Sequence, residues 1–335
     1  MDVIAALFLS LFAAVIPTVL YVAIAWWFDR YEREPLWLLT ITFLWGAVPA
    51  IILSLIFEVV LDLPVRMLVA PEGADVIGAA VFAPIIEEAA KAIPLAGIFL
   101  LYRREFDGVL DGLVYGALVG FGFAMTENLF YFLGAFFEGG WADWGVVVFL
   151  RAIIFGLNHA LFTAVTGAAL GYSRYALSRP KRLLAPFVGL GVAILLHAIH
   201  NGFVATGSVL CLVSLFTDWL GVITLIVAAI FSARAESRLI AEELSAEVSS
   251  GLLTATDALA ASNYRHRRRD RAAVARASGS AGAGRLARLH TAAAELALKK
   301  RQHRLYGNER SNEAEIAALR RLIAELSAPH AQPGT

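Results

Sequence analysis

The sequence predicts an all-α fold, a polytopic membrane bundle of about seven transmembrane helices with a cytosolic helical tail. The first observation is composition: of 335 residues, 59% are hydrophobic and 17% are charged, and the mean hydropathy is +0.69. A soluble domain typically has about 25% charged residues. The second observation is a series of apolar runs, each long enough to cross about 30 Å of hydrocarbon as a helix. The third is a basic segment after the last run.

Seven apolar runs are predicted to be membrane spans: residues 4–28, 36–60, 75–101, 109–137, 146–173, 185–206 and 209–232. The first is expected to stay as an anchor rather than be cleaved. Asp2 replaces the basic start of a signal peptide, and the apolar run is longer than the apolar core of such a peptide.

Basic residues concentrate in alternate loops between these spans. They are Arg30 and Arg33 in the first loop, Arg103 and Arg104 in the third, and Arg174, Arg179, Lys181 and Arg182 in the fifth. Because loops rich in Lys and Arg face the cytoplasm, these three loops are expected inside the cell. With seven spans, the amino terminus then lies outside and the carboxyl terminus lies in the cytoplasm.

The charge divides the chain into a membrane domain, residues 1–232, and a cytosolic tail, residues 233–335. The tail holds 17 Lys and Arg against 11 Asp and Glu. Its "ESRLIAEELSAEV" and "EAEIAALRRLIAEL" repeat apolar residues at helical spacing, whereas "SGSAGAG" predicts a flexible break. The basic stretch "NYRHRRRD" has no accompanying nucleic-acid-binding signature, so it is interpreted as a solvated charge run and no nucleic-acid partner is expected.

The stretch "PIIEEAAKAIP" places three charged residues inside the third span. Each charge at the centre of a bilayer costs about 2.5 to 3.5 kcal/mol even on the lenient insertion scale, so Glu87, Glu88 and Lys91 need a reason to be there. On a helix, Lys91 reaches either glutamate, three or four residues away. A structural ion pair explains Lys91 and one carboxylate, but it leaves the second carboxylate unexplained.

Polar side chains on three other spans are expected at a similar depth. Glycines at four-residue intervals precede Glu127 on one face of the fourth span, which predicts that this carboxylate points into the bundle. Singly, a buried histidine is more often a hydrogen-bonded core residue than a functional one. Together, the acids and imidazoles predict one hydrated cavity. The predicted site residues are Glu87, Glu88, Glu127, His159 and His197, with Lys91, Phe123, Asn128, His200 and Asn201 in support.

These motifs resemble those of the PrsW family of intramembrane proteases. "EEAAK" is similar to its EExxK motif, "FAMTEN" to its FxxxEN motif, and His159 and "HAIHN" to its histidine-bearing helices. The resemblance covers roughly residues 20–205. CAAX prenyl proteases and Abi proteins belong to the same superfamily, but their second motif ends in His where this chain has Glu127. The resemblance implies a bacterial intramembrane endopeptidase whose substrate is a single-span membrane protein such as an anti-sigma factor.

The implied chemistry is hydrolysis of a peptide bond, which needs an activated water, a proton donor and an oxyanion partner. Glu87 or Glu88 is expected to be the general base, with the other oriented by Lys91. His159 and His197 would position water or stabilise the oxyanion, Asn201 would donate to it, and Glu127 would be the proton donor or an ion ligand.

Zinc is the alternative to a metal-free mechanism, with Glu87, Glu127, His159 and His197 as its ligands. The absence of the HExxH signature favours the metal-free version, and no cofactor is certain.

Two other classes of protein are compatible with buried charges. A proton-coupled transporter or channel would use the same Glu, Lys and His side chains as a relay. A non-catalytic membrane scaffold would bind a partner protein through its tail, and the sequence does not identify such a partner. No repeat of the "EEAAK" span occurs in the other half of the chain, which disfavours the transporter.

Overall fold

The computed structural model describes residues 2–28, 34–102, 105–106, 108–176, 178–205, 209–307 and 312–328. Throughout these ranges the regular secondary structure is helical, as the sequence predicts. The helices are α1 (Asp2–Phe28), α2 (Leu36–Trp45), α3 (Ile51–Leu68), α4 (Pro71–Ile77), α5 (Ala83–Leu101), α6 (Val109–Val148), α7 (Asn158–Tyr175), α8 (Arg179–Ala205), α9 (Cys211–Ser249), α10 (Ala255–Ser262), α11 (Tyr264–Tyr306) and α12 (Asn312–Ser327).

In the part of the chain that the structure describes, three short π-helical segments interrupt the α-helical pattern. They are Gly46–Ala50, Gly78–Phe82 and Phe149–Ile154. The first contains Pro49, which cannot donate a backbone hydrogen bond, and the second directly precedes Pro84 in the first turn of α5. A π-helical turn shifts the faces of the helix that follows it. The second segment therefore sets the direction of Glu87 and Glu88.

Within the described residues, five helical stretches are long and apolar enough to cross a membrane: Asp2–Phe28, Leu36–Leu68, Val109–Arg174, Arg179–Ala205 and Cys211–Ser249. The third of these contains two of the predicted spans. The predicted span 75–101 is helical, but the three charged residues in α5 leave it outside this set. A multi-pass membrane protein is therefore confirmed, and the count of seven spans stays a prediction.

The predicted span 146–173 is wrong as a continuous helix. The chain leaves the helical path at Phe155, where φ is −109° and ψ is 11°, and α7 begins only at Asn158. In α6, Gly140 adopts φ 72° and ψ −156°, which ends the first part of that helix. Hydropathy does not reveal the break at Phe155, because apolar residues surround it.

The arginines of the first and third predicted loops, Arg30, Arg33, Arg103 and Arg104, lie outside the described residues.

The chain folds into two compact units, one from the described residues up to Ile230 and one from Phe231 onward. The second unit has its own apolar core, in which Ile240 and Leu244 of α9 pack with Leu296 of α11 and Ile323 of α12. In the predicted flexible break, Gly279 adopts φ 73°, but α11 is helical on both sides of it. The predicted helices of the tail are confirmed.

The close packing of α6 on α7 positions the polar residues of the first unit. A Cβ atom on Gly112 would lie 2.0 Å from the Gly167 carbonyl oxygen, and one on Gly120 would lie 2.3 Å from the His159 carbonyl oxygen. Only glycine permits this approach of the two backbones. The contact at Gly120 fixes His159 beside the turn of α6 that carries Phe123 and Glu127.

Replacing Gly116 by alanine is expected to destabilise the first unit by about 1–3 kcal/mol, because the added Cβ would lie 2.6 Å from the Ala164 Cα atom. The matched control is Gly134→Ala in the same helix, where a Cβ meets nothing within 4 Å. That change should be neutral or stabilise by up to about 1 kcal/mol through helix propensity. Thermal unfolding of the purified full chain measures both, and equal melting temperatures would contradict the packing argument.

Candidate active site

Lys91 lies at the centre of the buried polar cluster. Its Nζ atom is 2.9 Å from Glu87 Oε2, 2.9 Å from Glu88 Oε1 and 3.0 Å from His159 Nδ1. The Phe123 ring covers the ammonium group, with its centroid 3.7 Å from Nζ. Lys91 therefore bridges both glutamates rather than selecting one, and it joins α5 to α7.

Glu88 is hydrogen-bonded at both of its oxygens. Oε1 also lies 3.1 Å from His197 Nδ1, and Oε2 accepts a hydrogen bond of 3.1 Å from the Thr163 hydroxyl. The side chain is fully buried. Glu88 thus holds α5, α7 and α8 together, and its partners leave no oxygen free for a substrate.

Glu87 faces the two histidines. Its Oε2 atom is 3.9 Å from His159 Nδ1 and 3.9 Å from His197 Nε2. The donor atoms of these three residues all lie within 4.8 Å of one another. A carboxylate and two imidazoles are a set of ligands typical of catalytic zinc sites.

Glu127 contacts the other nitrogen of the His159 ring, the one that does not face Lys91. Its Oε2 atom is 2.8 Å from His159 Nε2, and it also accepts a hydrogen bond from the guanidinium of Arg151. The Nε atom of Arg151 donates to Asn128 Oδ1 at 2.9 Å. Arg151 therefore fixes both residues of the "EN" pair, although it was not among the predicted site residues.

A cavity of about 770 Å³ opens beside this cluster. Its charged lining consists of Glu58, Asp62, Asp75, Glu87 and Glu127 against Arg66 and Arg151. Five acidic side chains against two basic ones give the cavity an excess of negative charge. Glu58 makes no hydrogen bond or ion pair with another residue in the described ranges. Glu58 is a charged residue within the second predicted span, but it was not among the predicted site residues.

The five predicted catalytic residues come together around Lys91, and their catalytic roles stay predictions. Two of the supporting residues lie elsewhere along the cavity. His200 Nδ1 is 2.7 Å from Asp218 Oδ2, and Asn201 donates from Nδ2 to the Ala79 carbonyl oxygen at 2.9 Å. One amide hydrogen of Asn201 is therefore already in use. Asp218 was also missed, and it too is a carboxylate within a predicted span.

Comparison with known proteins identifies the family. The sequence profile of a family described as "PrsW family intramembrane metalloprotease" matches residues 34–234, more than half of the chain. Protease PrsW of Geobacillus kaustophilus is 30% identical over 193 residues, which are 56% of this chain and 76% of that protein. Protease PrsW of Clostridioides difficile is 30% identical over 175 residues, 52% of this chain and 69% of that protein.

Protease PrsW of Bacillus subtilis is 28% identical over 173 residues, 52% of this chain and 72% of that protein. No solved structure matches the chain. The metalloprotease description favours the metal-dependent alternative over the metal-free one, and the protease relatives disfavour the transporter. The chain therefore belongs to the PrsW family and is a multi-pass intramembrane protease.

Proposed function

We propose that the chain cleaves a single-span membrane protein, such as an anti-sigma factor, in the cavity beside Glu87, Glu127 and His159. One observation carries the assignment of these residues: two carboxylate–imidazole pairs, Glu88 with His197 and Glu127 with His159, flank Glu87. Each pair presents its remaining ring nitrogen toward Glu87. This arrangement supports a site that binds a cation and activates water beside it.

Glu87, His159 and His197 would hold the metal, and the donor set fits zinc. When bound, zinc polarises a carbonyl oxygen as a Lewis acid and lowers the pKa of water. Glu88 accepts from His197 Nδ1, which leaves Nε2 as the ligand atom. Glu127 accepts from His159 Nε2, which leaves Nδ1 as the ligand atom. Carboxylates that orient histidine ligands in this way raise their basicity and fix the tautomer.

Lys91 donates hydrogen bonds to two of the three proposed metal ligands, Glu87 and His159. An ammonium group and a metal ion therefore compete for these atoms. Glu88 is the partner that Lys91 keeps when the other two bind a cation, since Glu88 is not one of the three ligands. This assignment gives the second glutamate of the motif a role that an ion pair alone does not explain.

Glu127 is the acid–base group of the proposal. It lines the cavity, and Arg151 and His159 hold one of its oxygens in place. Glu127 accepts a proton as water adds to the substrate carbonyl carbon, and it returns the proton to the amine as the C–N bond breaks. The proton that Glu127 takes from water is the one that it gives to the amine, so no further acid is needed.

Glu88→Gln is expected to lower cleavage by about 10–100-fold while the protein still accumulates in the membrane. Glutamine loses the negative charge that Lys91 and His197 share, so the orientation of His197 is no longer fixed. The readout is a comparison of membrane proteomes from cells with the wild-type and variant proteins. An uncleaved single-span protein should accumulate in the variant.

The control for this comparison is Glu72→Gln, an exposed acidic residue of α4 outside the cavity lining. It should leave the proteome unchanged. Identical proteomes for wild type and Glu88→Gln would contradict the proposed protease site. Altered ion flux without a change in cleaved products would instead support a transporter.

Purified full-length protein is expected to retain close to one zinc ion per chain, because three of its side chains supply ligands. A chelator should abolish cleavage, and His197→Gln should lower the zinc content measured by elemental analysis. His266→Gln, in the second unit, is the control that should retain the metal. Full activity in a preparation without metal would restore the metal-free mechanism, with Glu87 as the general base.

We also propose that residues 1–232 form the protease domain in a bacterial plasma membrane and that residues 233–335 are cytosolic. The arginines of the alternate loops support seven crossings with the amino terminus outside. Green fluorescent protein fused after Thr335 should fluoresce, because it folds in the cytoplasm. Alkaline phosphatase at the same position should be inactive, and the reverse result would overturn the orientation.

A further inference from the structure

A third carboxylate–imidazole pair lies along the cavity, outside the group around Lys91. Asp218 of α9 is buried, and its Oδ2 atom is 2.7 Å from His200 Nδ1 of α8. The Asn158 amide of α7 donates to the same oxygen at 2.9 Å. A carboxylate within a membrane helix is costly unless it is paired, and here two donors from two other helices satisfy it.

Asp218 determines which nitrogen of His200 is available. Asn158 Nδ2 lies 3.1 Å from His200 Nδ1, but the Asp218 oxygen is nearer at 2.7 Å and only accepts hydrogen bonds. His200 Nδ1 therefore carries the proton, and the Nε2 atom of the neutral ring is an acceptor. Nε2 makes no hydrogen bond within the described part of the chain. His200 lines the same cavity as Glu87, Glu127 and His159. The pair therefore presents one oriented acceptor to whatever enters the cavity.

His200 lies along α8 at a distance from His197, one of the proposed metal ligands. His197 precedes it by three residues on α8, and side chains at that spacing have Cβ atoms about 5–6 Å apart. The Phe162 ring stacks on His197 at 4.8 Å between centroids and lies 6.2 Å from the His200 ring. An extended peptide rises about 3.3 Å per residue. His197 is one of the proposed metal ligands, so a peptide cleaved at that metal would pass His200 about two residues away.

We infer that His200 Nε2 accepts a hydrogen bond from a backbone N–H of the substrate, within two residues of the cleaved bond. This inference rests on the proposed protease function. A substrate helix must unwind before its peptide bond is accessible, and in a membrane each freed N–H needs a new acceptor. His200 supplies one, and Asp218 and Asn158 are positioning residues that fix its ring.

Two substitutions of His200 separate the nitrogens. His200→Asn keeps a donor to Asp218 but removes the acceptor at Nε2, and we expect it to lower kcat/KM about tenfold, mainly through KM. His200→Gln keeps an acceptor near the Nε2 position and should retain activity within about threefold. Asp218→Asn should match His200→Asn, because an amide donor favours the other tautomer of the ring.

The probe is a synthetic peptide of about 25 residues that spans the cleavage site found by the proteome comparison. A series of variants replaces one backbone N–H by an ester oxygen, at each position within two residues of the cleaved bond. At one position the ester should lower kcat/KM of the wild-type enzyme about tenfold. The same ester should have little effect on His200→Asn, because the hydrogen bond is already absent.

Ser214→Ala is the control for packing between α8 and α9, since the Ser214 hydroxyl donates to the His200 carbonyl oxygen at 3.1 Å. Its kcat/KM should stay within about twofold of wild type. Full activity of His200→Asn would overturn the inference. If that variant fails to fold, an ester series without effect on the wild-type enzyme would overturn it as well.

The result also separates this inference from the proposed function. The wild-type enzyme could cleave more than Glu88→Gln while the ester series has no effect. That result would reject only the role of His200 and would leave the proposed protease site in place. Equal products from wild type and Glu88→Gln would reject the protease site and this inference with it.

Discussion

The arrangement of the first unit depends on one buried ammonium group. Lys91 Nζ contacts two carboxylates and an imidazole, and an aromatic ring covers it. In an apolar medium, burying any one of these charged or polar groups without a partner costs several kcal/mol of desolvation free energy. The cost falls when the groups are buried together and pair with one another. Helices α5, α7 and α8 meet at this point because their polar side chains have no better alternative in lipid.

The glycine contact between α6 and α7 makes that assembly possible. Where the two backbones touch at Gly120, His159 lies next to the Phe123 and Glu127 turn. The imidazole is then held by Glu127 on one side and by Lys91 on the other. A larger residue at the contact would move His159 away from both partners, so packing and chemistry are coupled in this helix pair.

The sequence predicts the helical class, the glycine face and the convergence of Glu87, Glu88, Glu127, His159 and His197, because helical spacing and the cost of buried charge are local rules. It does not predict which partner each group chooses. Arg151, Glu58 and Asp218 obey the same rule of costly intramembrane charge, yet they stand singly in the chain without a motif. Their roles emerge only when α3 and the π-helical segment Phe149–Ile154 bring Glu58 and Arg151 to the cavity and α9 brings Asp218 to His200, which is a tertiary property.

The break before α7 has an electrostatic consequence. A helix carries partial positive charge at its amino end, where backbone N–H groups lack partners within the helix. Because α7 begins at Asn158, one residue before His159, this end of its macrodipole lies at a cavity whose charged lining residues are mostly acidic. An uninterrupted span would place the same peptide dipoles in the middle of a helix, where their charges cancel. The interruption thus gives the backbone itself a share in balancing the carboxylates.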